Sequence, residues 1–411
     1  MRYWLAIILL ALSVSAAKPL LAASQRDALG CNQKDQDRRI AGCIRLKSTA
    51  QDSATAYNNR GYSFLSRGDF DRAVADFDEA IRLNPKVAVF YRNRGNAYKA
   101  KGDLDRAIAD FDEAIRLNPR DAISYGDRGN AYAAKGDFDR AIADYDLAIG
   151  LNPKDPLAYF IRSSAHEAKG EFDRAIADYD AVIRLNPKGM LALVTYYQRA
   201  EAYEAKGEFD RAIADFDEAI RLSPKEATSY SDRGNAYAAK GDFDRAIADH
   251  DLAILLNPKD AFAYRNRGLA YLYTGSLAKA HRDFERATQL DPKDAYAALW
   301  LDLAARRNNS PRHLAQATAQ LDMKAWPAPA IRLFLGELTP AEVLSAASNP
   351  DPVRRREQVC EATFYSGEIA LRWDAKQEAM RLFQSAANDC PKTLIEWFAA
   401  NGELRALHQG E

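Results

Sequence analysis

Apolar residues recur along this chain at helical spacing. In the stretch 105–117, Ala107, Phe111, Ala114 and Ile115 are separated by four, three and one residues, so they share one helix face. Aspartate, glutamate and arginine occupy most of the opposite face. The pattern therefore predicts an amphipathic helix that packs against its neighbours through one side only.

A second helix is predicted just before it, and a tight turn separates the two. Residues 88–100 carry Tyr91, Ala97 and Tyr98 on one side, and Gly102 then suits the left-handed geometry that ends many helices. Asp103 is a suitable N-cap for the following helix. Pro119 ends that helix, because a proline disfavours helical geometry in the residue before it. Two helices joined by so short a turn lie antiparallel.

This helix pair returns along the chain with few changes. The prolines that close the units are Pro85, Pro119, Pro153, Pro187, Pro224, Pro258 and Pro292. Five of the six intervals are 34 residues, and the one between Pro187 and Pro224 is 37. A fixed period of this length indicates supersecondary units that bury their apolar faces against one another. We therefore expect an all-α fold, an α-solenoid of antiparallel helix pairs.

The repeated unit resembles the tetratricopeptide repeat. The unit that starts at Ala88 carries the residues typical of that family, namely Tyr91, Gly95, Tyr98, Ala107, Phe111, Ala114 and Pro119. The resemblance implies a right-handed superhelix and predicts seven contiguous repeats between residues 54 and 294. They span 54–87, 88–121, 122–155, 156–189, 193–226, 227–260 and 261–294.

The C-terminal third departs from the repeat. We expect a helical connector at 295–359, a degenerate eighth repeat at 360–393 and a C-terminal capping helix at 394–411. This third also resembles the NlpI-type lipoproteins of the Gram-negative envelope. The matching segments are LWLDLA, IRLFLGELT, ATFYSGEIAL and EWFAANGELRAL. That family consists of adaptors that dock envelope proteases and cell-wall hydrolases, so the resemblance implies an adaptor.

The N-terminal residues predict export. Arg2 precedes the apolar run 4–12, and small residues permit cleavage after Ala17 or after Ala23. We assign 1–23 to a signal peptide and 24–53 to an N-terminal cap. Lys18 and Pro19 interrupt the largely apolar stretch after roughly 15 residues, short of the about 20 that a membrane span needs, so cleavage is favoured over a retained anchor. The resemblance to lipoproteins does not extend to a lipid anchor, because no cysteine directly follows the run. The expected location is the periplasm of a Gram-negative envelope, or the exterior.

The four cysteines suit an oxidising compartment. Cys360 and Cys390 lie at neighbouring ends of the predicted eighth helix pair, so a disulfide between them is expected. Cys31 and Cys43 are candidates for a second bridge, which requires the chain to turn between them. A metal site and a catalytic thiol are the alternatives, and the lack of a nearby histidine disfavours both.

Composition and motifs favour a binding protein over an enzyme. The chain has 57 basic and 58 acidic residues, so it lacks the basic footprint of a nucleic-acid-binding protein. Its five histidines are scattered, and no catalytic triad, metal-ligand spacing or phosphate-binding loop stands out. We expect no enzyme, cofactor or metal. The rival hypotheses are a structural subunit that assembles through its ends and an enzyme hidden in 295–411.

A charged pair recurs in all seven contiguous repeats. Repeat position 7 is always arginine and position 23 is always aspartate, and these two positions lie at the same height in an antiparallel hairpin. The arginines are Arg60, Arg94, Arg128, Arg162, Arg199, Arg233 and Arg267, and the aspartates are Asp76, Asp110, Asp144, Asp178, Asp215, Asp249 and Asp283. We predict a structural ladder of ion pairs. A track of arginines for anionic ligands is the alternative.

The resemblance also implies a peptide-binding groove. In the tetratricopeptide family, positions 2, 5, 9 and 12 of each first helix line the concave face. The candidates here are Arg92, Asn96, Lys99, Asn130, Leu157, Phe160, Glu167, Tyr197, Glu201, Glu204, Asn235 and Arg265. Asparagines can hydrogen-bond both groups of a peptide backbone. We place the centre at Phe160, Tyr197, Glu201 and Glu204, which suit a partner segment with an apolar and a basic residue. A chance mixture of surface residues is the alternative.

Overall fold

The computed structural model describes residues 50–392 and 394–409, and within these ranges it contains helices and no strand. The predicted signal peptide, most of the predicted N-terminal cap and the expected bridge between Cys31 and Cys43 lie outside the described residues. The chain divides into two compact units, one that ends at Glu171 and one that begins at Phe172.

The described part of the N-terminal unit, from residue 50, contains three helix pairs and a further first helix. Its helices are α1 (Ala50–Ser66), α2 (Phe70–Leu83), α3 (Ala88–Ala100), α4 (Leu104–Leu117), α5 (Ala122–Ala134), α6 (Phe138–Leu151) and α7 (Pro156–Ala168). Consecutive helices pack against each other, as expected for stacked hairpins. The first helix begins at Ala50, four residues before the predicted start of the first repeat.

The C-terminal unit continues the same architecture and then departs from it. Its repeat helices are α8 (Phe172–Leu185), α9 (Met190–Lys206), α10 (Phe209–Leu222), α11 (Ala227–Lys240), α12 (Phe243–Leu256), α13 (Ala261–Tyr273) and α14 (Leu277–Leu290). The remaining helices are α15 (Ala295–Arg307), α16 (Leu314–Ala317), α17 (Ala328–Leu335), α18 (Pro340–Ala346), α19 (Pro352–Arg372), α20 (Lys376–Asp389) and α21 (Ile395–Gln409).

Each hairpin is formed by its turn and by one close contact. Gly102 has a positive φ of 80°, and the side chain of Asp103 accepts a hydrogen bond from the Arg106 backbone N–H. Gly95 lies under the ring of Phe111, where an added Cβ would stand 2.7 Å from a ring carbon. The fully buried Phe111 therefore depends on the absence of a side chain at Gly95.

The arginine of each hairpin forms two kinds of ion pair. Arg94 donates to both carboxylate oxygens of Asp110, at 2.8 and 2.6 Å, and its Nη1 donates to Asp78 of the preceding repeat at 2.6 Å. Pairs within a repeat are Arg60–Asp76, Arg94–Asp110, Arg128–Asp144, Arg199–Asp215, Arg233–Asp249 and Arg267–Asp283. Arg162 and Asp178 fall on either side of the boundary between the units.

The pairs between repeats recur with equal regularity. They join Arg94 to Asp78, Arg128 to Asp112, Arg162 to Asp146, Arg199 to Asp180, Arg233 to Asp217 and Arg267 to Asp251. The Arg199–Asp180 pair spans the three-residue insertion, which the longer α9 accommodates without loss of the contact. The arginines therefore join helices to one another, which is the structural role predicted for the ladder.

The C-terminal helix packs onto the turn ends of the fifth to seventh repeats. Trp397 lies 5.8 Å from the ring of Phe209, and Phe398 lies 5.6 Å from Phe243 and 5.4 Å from Tyr273. The disulfide between Cys360 and Cys390 is present just before this helix and ties α19 to the end of α20. The segment 390–409 is thus fixed at one end by a covalent bond and along its length by aromatic contacts.

We predict that the ladder pairs contribute measurably to stability. In a double-mutant cycle on Arg128 and Asp144, the coupling free energy should exceed the about 0.2–1 kcal/mol of an exposed pair, because the Asp144 carboxylate is nearly buried. Chemical denaturation of the four proteins measures it. The exposed pair Arg116–Glu113 is the matched control. Additive effects of Arg128→Ala and Asp144→Ala would contradict a structural role.

One core position in the sixth repeat carries a titratable group. His250 is fully buried where Phe216 and Phe284 stand in the neighbouring repeats, and neither ring nitrogen has a hydrogen-bond partner among the described residues. Burial, and then the charge of Arg267, lower the pKa of His250 to about 3. The ring is therefore neutral in the folded chain at every physiological pH.

We predict that His250 makes the stability of the C-terminal unit dependent on pH. The folded pKa lies below that of the unfolded chain, so stability is complete above about pH 6.5 and is lost as the pH falls toward 3. The loss is about 1.4 kcal/mol per pH unit. His250→Phe should therefore stabilise the chain by about 2 kcal/mol more at pH 5 than at pH 7.5 in urea denaturation. An equal gain at both pH values would refute this. Phe216→His should introduce the same dependence.

Candidate functional site

The groove-face residues of the N-terminal unit are engaged with one another. Arg92 forms an ion pair with Asp121 at 3.0 Å. Asn96 donates to Asp127 at 3.0 Å, and the Lys99 ammonium lies 3.8 Å from the same carboxylate. The basic and amide groups predicted to face a peptide are thus satisfied within the chain, and Asp127 is neutralised by its neighbours.

Two predicted groove residues are buried. Phe160 is 6% exposed and Arg265 is 8% exposed, so neither presents its side chain to a partner as predicted. Arg265 pairs with Asp294 at 2.7 Å and lies over the ring of the exposed Phe262, 4.8 Å from its centroid. Residues from adjacent helices cover these positions, which the repeat pattern of one unit does not reveal.

The remaining predicted residues are half-buried or exposed. Asn130 accepts a hydrogen bond from the buried Tyr145 hydroxyl at 2.9 Å, so it supports the hairpin interior. Leu157 and Glu167 are half-buried in the N-terminal unit, and Asn235 is exposed in the C-terminal unit. Asn235 accepts from Asn266 of the next repeat at 2.9 Å. The predicted centre itself is divided, because Phe160 belongs to the N-terminal unit and Tyr197 to the C-terminal one.

Tyr197 is part of a contact between helices in the C-terminal unit. Its hydroxyl shares a hydrogen bond with Ser229, and its ring meets Phe216 edge-on, with centroids 6.1 Å apart. Burial raises the pKa of the Tyr197 hydroxyl. The ring is half-buried, so it packs between helices beside the groove face and is not a freely exposed anchor for a partner.

Three carboxylates lie close together near the Tyr197 ring. We call Glu201, Glu204 and Asp232 the acidic patch. Glu201 accepts a hydrogen bond from Gln198 at 3.0 Å. The side-chain carboxylates of Glu204 and Asp232 accept no hydrogen bond and pair with no cation within residues 50–392 and 394–409. The patch therefore lacks a positive partner in the described part of the chain.

The acidic patch holds protons at neutral pH. Burial, followed by the charges of Asp232 and Glu201, raises the pKa of Glu204 to about 8. Burial, followed by Glu201 and Asp260, raises the pKa of Asp232 to about 7. Burial also raises the pKa of Glu201. Because burial and neighbouring negative charge raise the pKa values of Glu204 and Asp232, a cation that enters the patch would displace protons from it.

Asp232 is the residue that the sequence prediction missed. It occupies repeat position 6, whereas the prediction considered positions 2, 5, 9 and 12. Asp127 occupies the same position in the third repeat, and there the preceding repeat supplies Asn96 and Lys99. In the sixth repeat the preceding repeat supplies Glu201 and Glu204 instead. A comparison of position 6 with positions 9 and 12 of the preceding repeat would have found the unbalanced charge.

The C-terminal region contains buried carboxyl groups that are held by the fold. Glu361 accepts hydrogen bonds from the Tyr296 hydroxyl at 2.8 Å and the Trp326 ring N–H at 2.7 Å. Burial and the nearby Glu396 raise the pKa of Glu361 to about 8. In the described part of the chain, no group of three or more histidine, cysteine, aspartate or glutamate residues is arranged to hold a metal ion. We assign these carboxyl groups to packing of the C-terminal region.

Stacked antiparallel hairpins with an interaction face on their first helices define a helical-repeat scaffold. Tetratricopeptide repeat models match residues 47–189, through overlapping matches at 47–88, 58–122, 92–156 and 127–189, and also match 200–241 and 234–307. These matches cover more than half of the chain. The chain therefore belongs to the tetratricopeptide repeat family, and it is a scaffold for interactions between proteins.

Several solved structures are similar to this chain. The C-terminal part of a tetratricopeptide repeat-containing protein from Cytophaga hutchinsonii is 20% identical, with a TM-score of 0.52, over 59% of this chain and 98% of that one. YrrB, described as a TPR protein with an unusual peptide-binding site, is 23% identical, with a TM-score of 0.40, over 46% of this chain and 95% of that one. MamA is 28% identical, with a TM-score of 0.38, over 41% and 96%. A comparison with curated proteins found no match.

No helix in the described part of the chain is long and apolar enough to cross a membrane.

Proposed function

We propose that this chain is an exported docking protein whose acidic patch binds polypeptide segments that carry a cationic side chain. The observation that supports the proposal is that Glu201, Glu204 and Asp232 lie close together on neighbouring first helices, with no cationic side chain paired to them among the described residues. The cost of keeping carboxylates close together and partly desolvated is offset when a lysine or arginine of a partner enters.

Neighbouring groups can hold the backbone of the same segment. Asn235 is exposed on the same first helix as Asp232, and its side-chain oxygen accepts from Asn266 of the next first helix at 2.9 Å. The exposed side-chain amide of Asn235 can hydrogen-bond the backbone of an extended peptide. Phe262 is 57% exposed and offers an apolar contact on the same helix as Asn266. The site thus combines charge, backbone and apolar recognition.

The internal repeats provide a matched variant for the test. Glu201→Asn together with Glu204→Lys gives the fifth repeat the two residues that neutralise Asp127 in the N-terminal unit. We expect this double variant to fold and to bind short peptides that contain lysine and leucine at least tenfold more weakly than wild type, about 1.4 kcal/mol. Fluorescence anisotropy measures the affinity, and circular dichroism checks the fold.

The control is Glu218→Lys, which changes the charge of the exposed side of a second helix. It should leave the affinity unchanged. Peptides with glutamate in place of lysine should not bind wild type. Undiminished binding by the double variant, or equal binding of both peptides, would refute the proposal. Phe160→Ala is unsuitable here, because truncation of a buried phenylalanine costs about 3–5 kcal/mol of stability.

The pH dependence of binding provides a second readout on the same site. The pKa values of Glu204 and Asp232 are raised, and a cationic partner favours their ionised forms, so affinity should increase as the pH rises from about 6 to about 8. The double variant should lose this dependence. If the affinity of wild type did not change with pH, the cationic side chain of the peptide would have to bind outside the acidic patch.

The exported location rests on the N-terminal sequence alone. We propose that the mature chain begins after Ala17 or Ala23 and acts in the periplasm or outside the cell, where it docks proteins such as envelope proteases or cell-wall hydrolases. The disulfide between Cys360 and Cys390 is consistent with an oxidising compartment.

We predict that mass spectrometry of the chain from fractionated cells will find a new N-terminus after Ala17 or Ala23. Without reduction, Cys360 and Cys390 should resist alkylation, because both sulfurs are in a disulfide. A cytosolic chain with Met1 intact and both thiols alkylated would contradict export. Affinity capture from envelope extracts, with wild type compared with the Glu201→Asn/Glu204→Lys variant, would then identify the partners.

A further inference from the structure

The second helix of the sixth repeat carries an apolar surface centred on Leu255, a position that is arginine, glycine or glutamine in the other contiguous repeats. Leu252 has an exposed counterpart in Leu147 of the third repeat. In α12, Leu252, Leu255 and Leu256 are 41%, 74% and 41% exposed. Residues three and four apart on a helix are neighbours, so the three side chains form one patch. They lie on a second helix, whereas the acidic patch lies on first helices, so this surface is separate from the proposed binding site.

In three other repeats, an ion pair occupies the positions that correspond to Leu252 and Leu255. Glu79–Arg82, Glu113–Arg116 and Glu218–Arg221 occupy the places of Leu252 and Leu255, at distances of 2.7–2.9 Å. The hairpin fold is satisfied by this exposed polar pair. The fold therefore does not require leucine at either position in the sixth repeat, and a partner surface is the remaining reason to place it there.

The charges at the two ends of the patch indicate what the partner is. Asp244 is exposed near the start of α12, and Lys259 is exposed just past its end. In other repeats the aspartate at the position of Asp244 pairs with a lysine of the next repeat, as Asp210 pairs with Lys240, but the seventh repeat has Thr274 there. Neither Asp244 nor Lys259 forms an ion pair within the described ranges.

The charged and apolar residues of this surface are spaced so that two antiparallel copies of α12 can match opposite charges and small with large side chains. The midpoint between Asp244 and Lys259 in the sequence is also the midpoint between the exposed Ala248 and Leu255, and Leu252 lies next to it. When two copies of α12 pair antiparallel about that point, Asp244 opposes Lys259 of the other copy, and the small Ala248 opposes the large Leu255. By the same count Leu252 opposes Asp251, so the Leu252 side chains of the two copies lie on either side of the two-fold axis. A parallel pair would instead oppose like charges at both ends.

We propose that this chain forms a homodimer in which α12 packs antiparallel against α12 of a second copy through Leu252 and Leu255. The contact buries few residues, which places it among small interfaces with a dissociation constant on the order of micromolar. The dimer is isologous, so it closes on itself and does not extend into a filament.

The test compares the full-length chain with a variant that restores the pattern of its own sister repeats. Leu252→Glu with Leu255→Arg rebuilds the ion pair seen at Glu218–Arg221, so the variant is expected to keep the helical content and melting behaviour of wild type. Sedimentation equilibrium across the micromolar range should show a dimer for wild type and at least tenfold weaker association for the variant. The control, Leu147→Glu with Gly150→Arg in α6, should associate as wild type does.

Charge reversal tests the orientation and does not depend on the leucine variant. Asp244→Lys and Lys259→Asp should each weaken the dimer, because each creates like-charged contacts at both ends. The combined Asp244→Lys/Lys259→Asp chain should regain wild-type affinity. An equimolar mixture of the two single variants should also associate, since their ends are complementary.

Three outcomes would overturn the proposal. Wild type could remain monomeric throughout the range, which would assign the leucines to a different protein. The dimer could persist unchanged in the Leu252→Glu/Leu255→Arg variant, which would place the contact elsewhere. The double charge reversal could fail to restore an affinity that the single reversals had lost, which would exclude the antiparallel arrangement.

Discussion

The ion pairs of the repeat arginines are the interaction on which the rest of the structure depends. In five of the described repeats the arginine binds an aspartate of its own second helix and an aspartate of the preceding repeat, as Arg128 binds Asp144 and Asp112, so one side chain joins three helices. The carboxylate within the repeat is nearly buried, and loss of its arginine would leave a desolvated charge without a partner. The planar guanidinium donates to both carboxylates, a geometry that lysine cannot reproduce. Where a three-residue insertion precedes the fifth repeat, Arg199 still reaches Asp180, so the register of the stack survives.

How much of this could be predicted from the sequence depends on how local each feature is. Helix pairs, turns and the arginine–aspartate pairs within one repeat follow from spacing over fewer than 34 residues, and the Cys360–Cys390 bridge follows from one hairpin. The burial of the Phe160 and Arg265 side chains does not follow from spacing within one repeat, because neighbouring helices determine it. The second ion pair of each arginine was also missed, since it joins residues in different repeats. Asp232 could have been found, because the positions that oppose it are fixed by the same repeat.

The surroundings of Asp127 and Asp232 show that the same repeat scaffold can place either a cation or further carboxylates beside an aspartate. Asp127 and Asp232 occupy the same repeat position and meet the same two positions of the preceding repeat. Asn96 and Lys99 neutralise the first, whereas Glu201 and Glu204 add charge to the second. The first arrangement is complete within the chain, since every charge has its partner. The second arrangement holds protons at neutral pH, and it is stabilised when an external cation replaces those protons. Binding capacity is therefore expected where the chain leaves its own charges unbalanced.

Repetition within the chain separates what the fold needs from what function adds. The constraint of hairpin packing acts in the same way on every repeat, so residues shared by all repeats are explained by packing. Departures that the packing does not require need another explanation. His250, in a position otherwise filled by phenylalanine or tyrosine in these seven repeats, lies in the core and affects stability. Leu252 and Leu255 stand where other repeats place an exposed ion pair, and they affect only the surface. The acidic patch and the leucine patch are both departures of this second kind, and they lie on the first and second helices respectively, so one copy can engage a peptide and another copy at the same time.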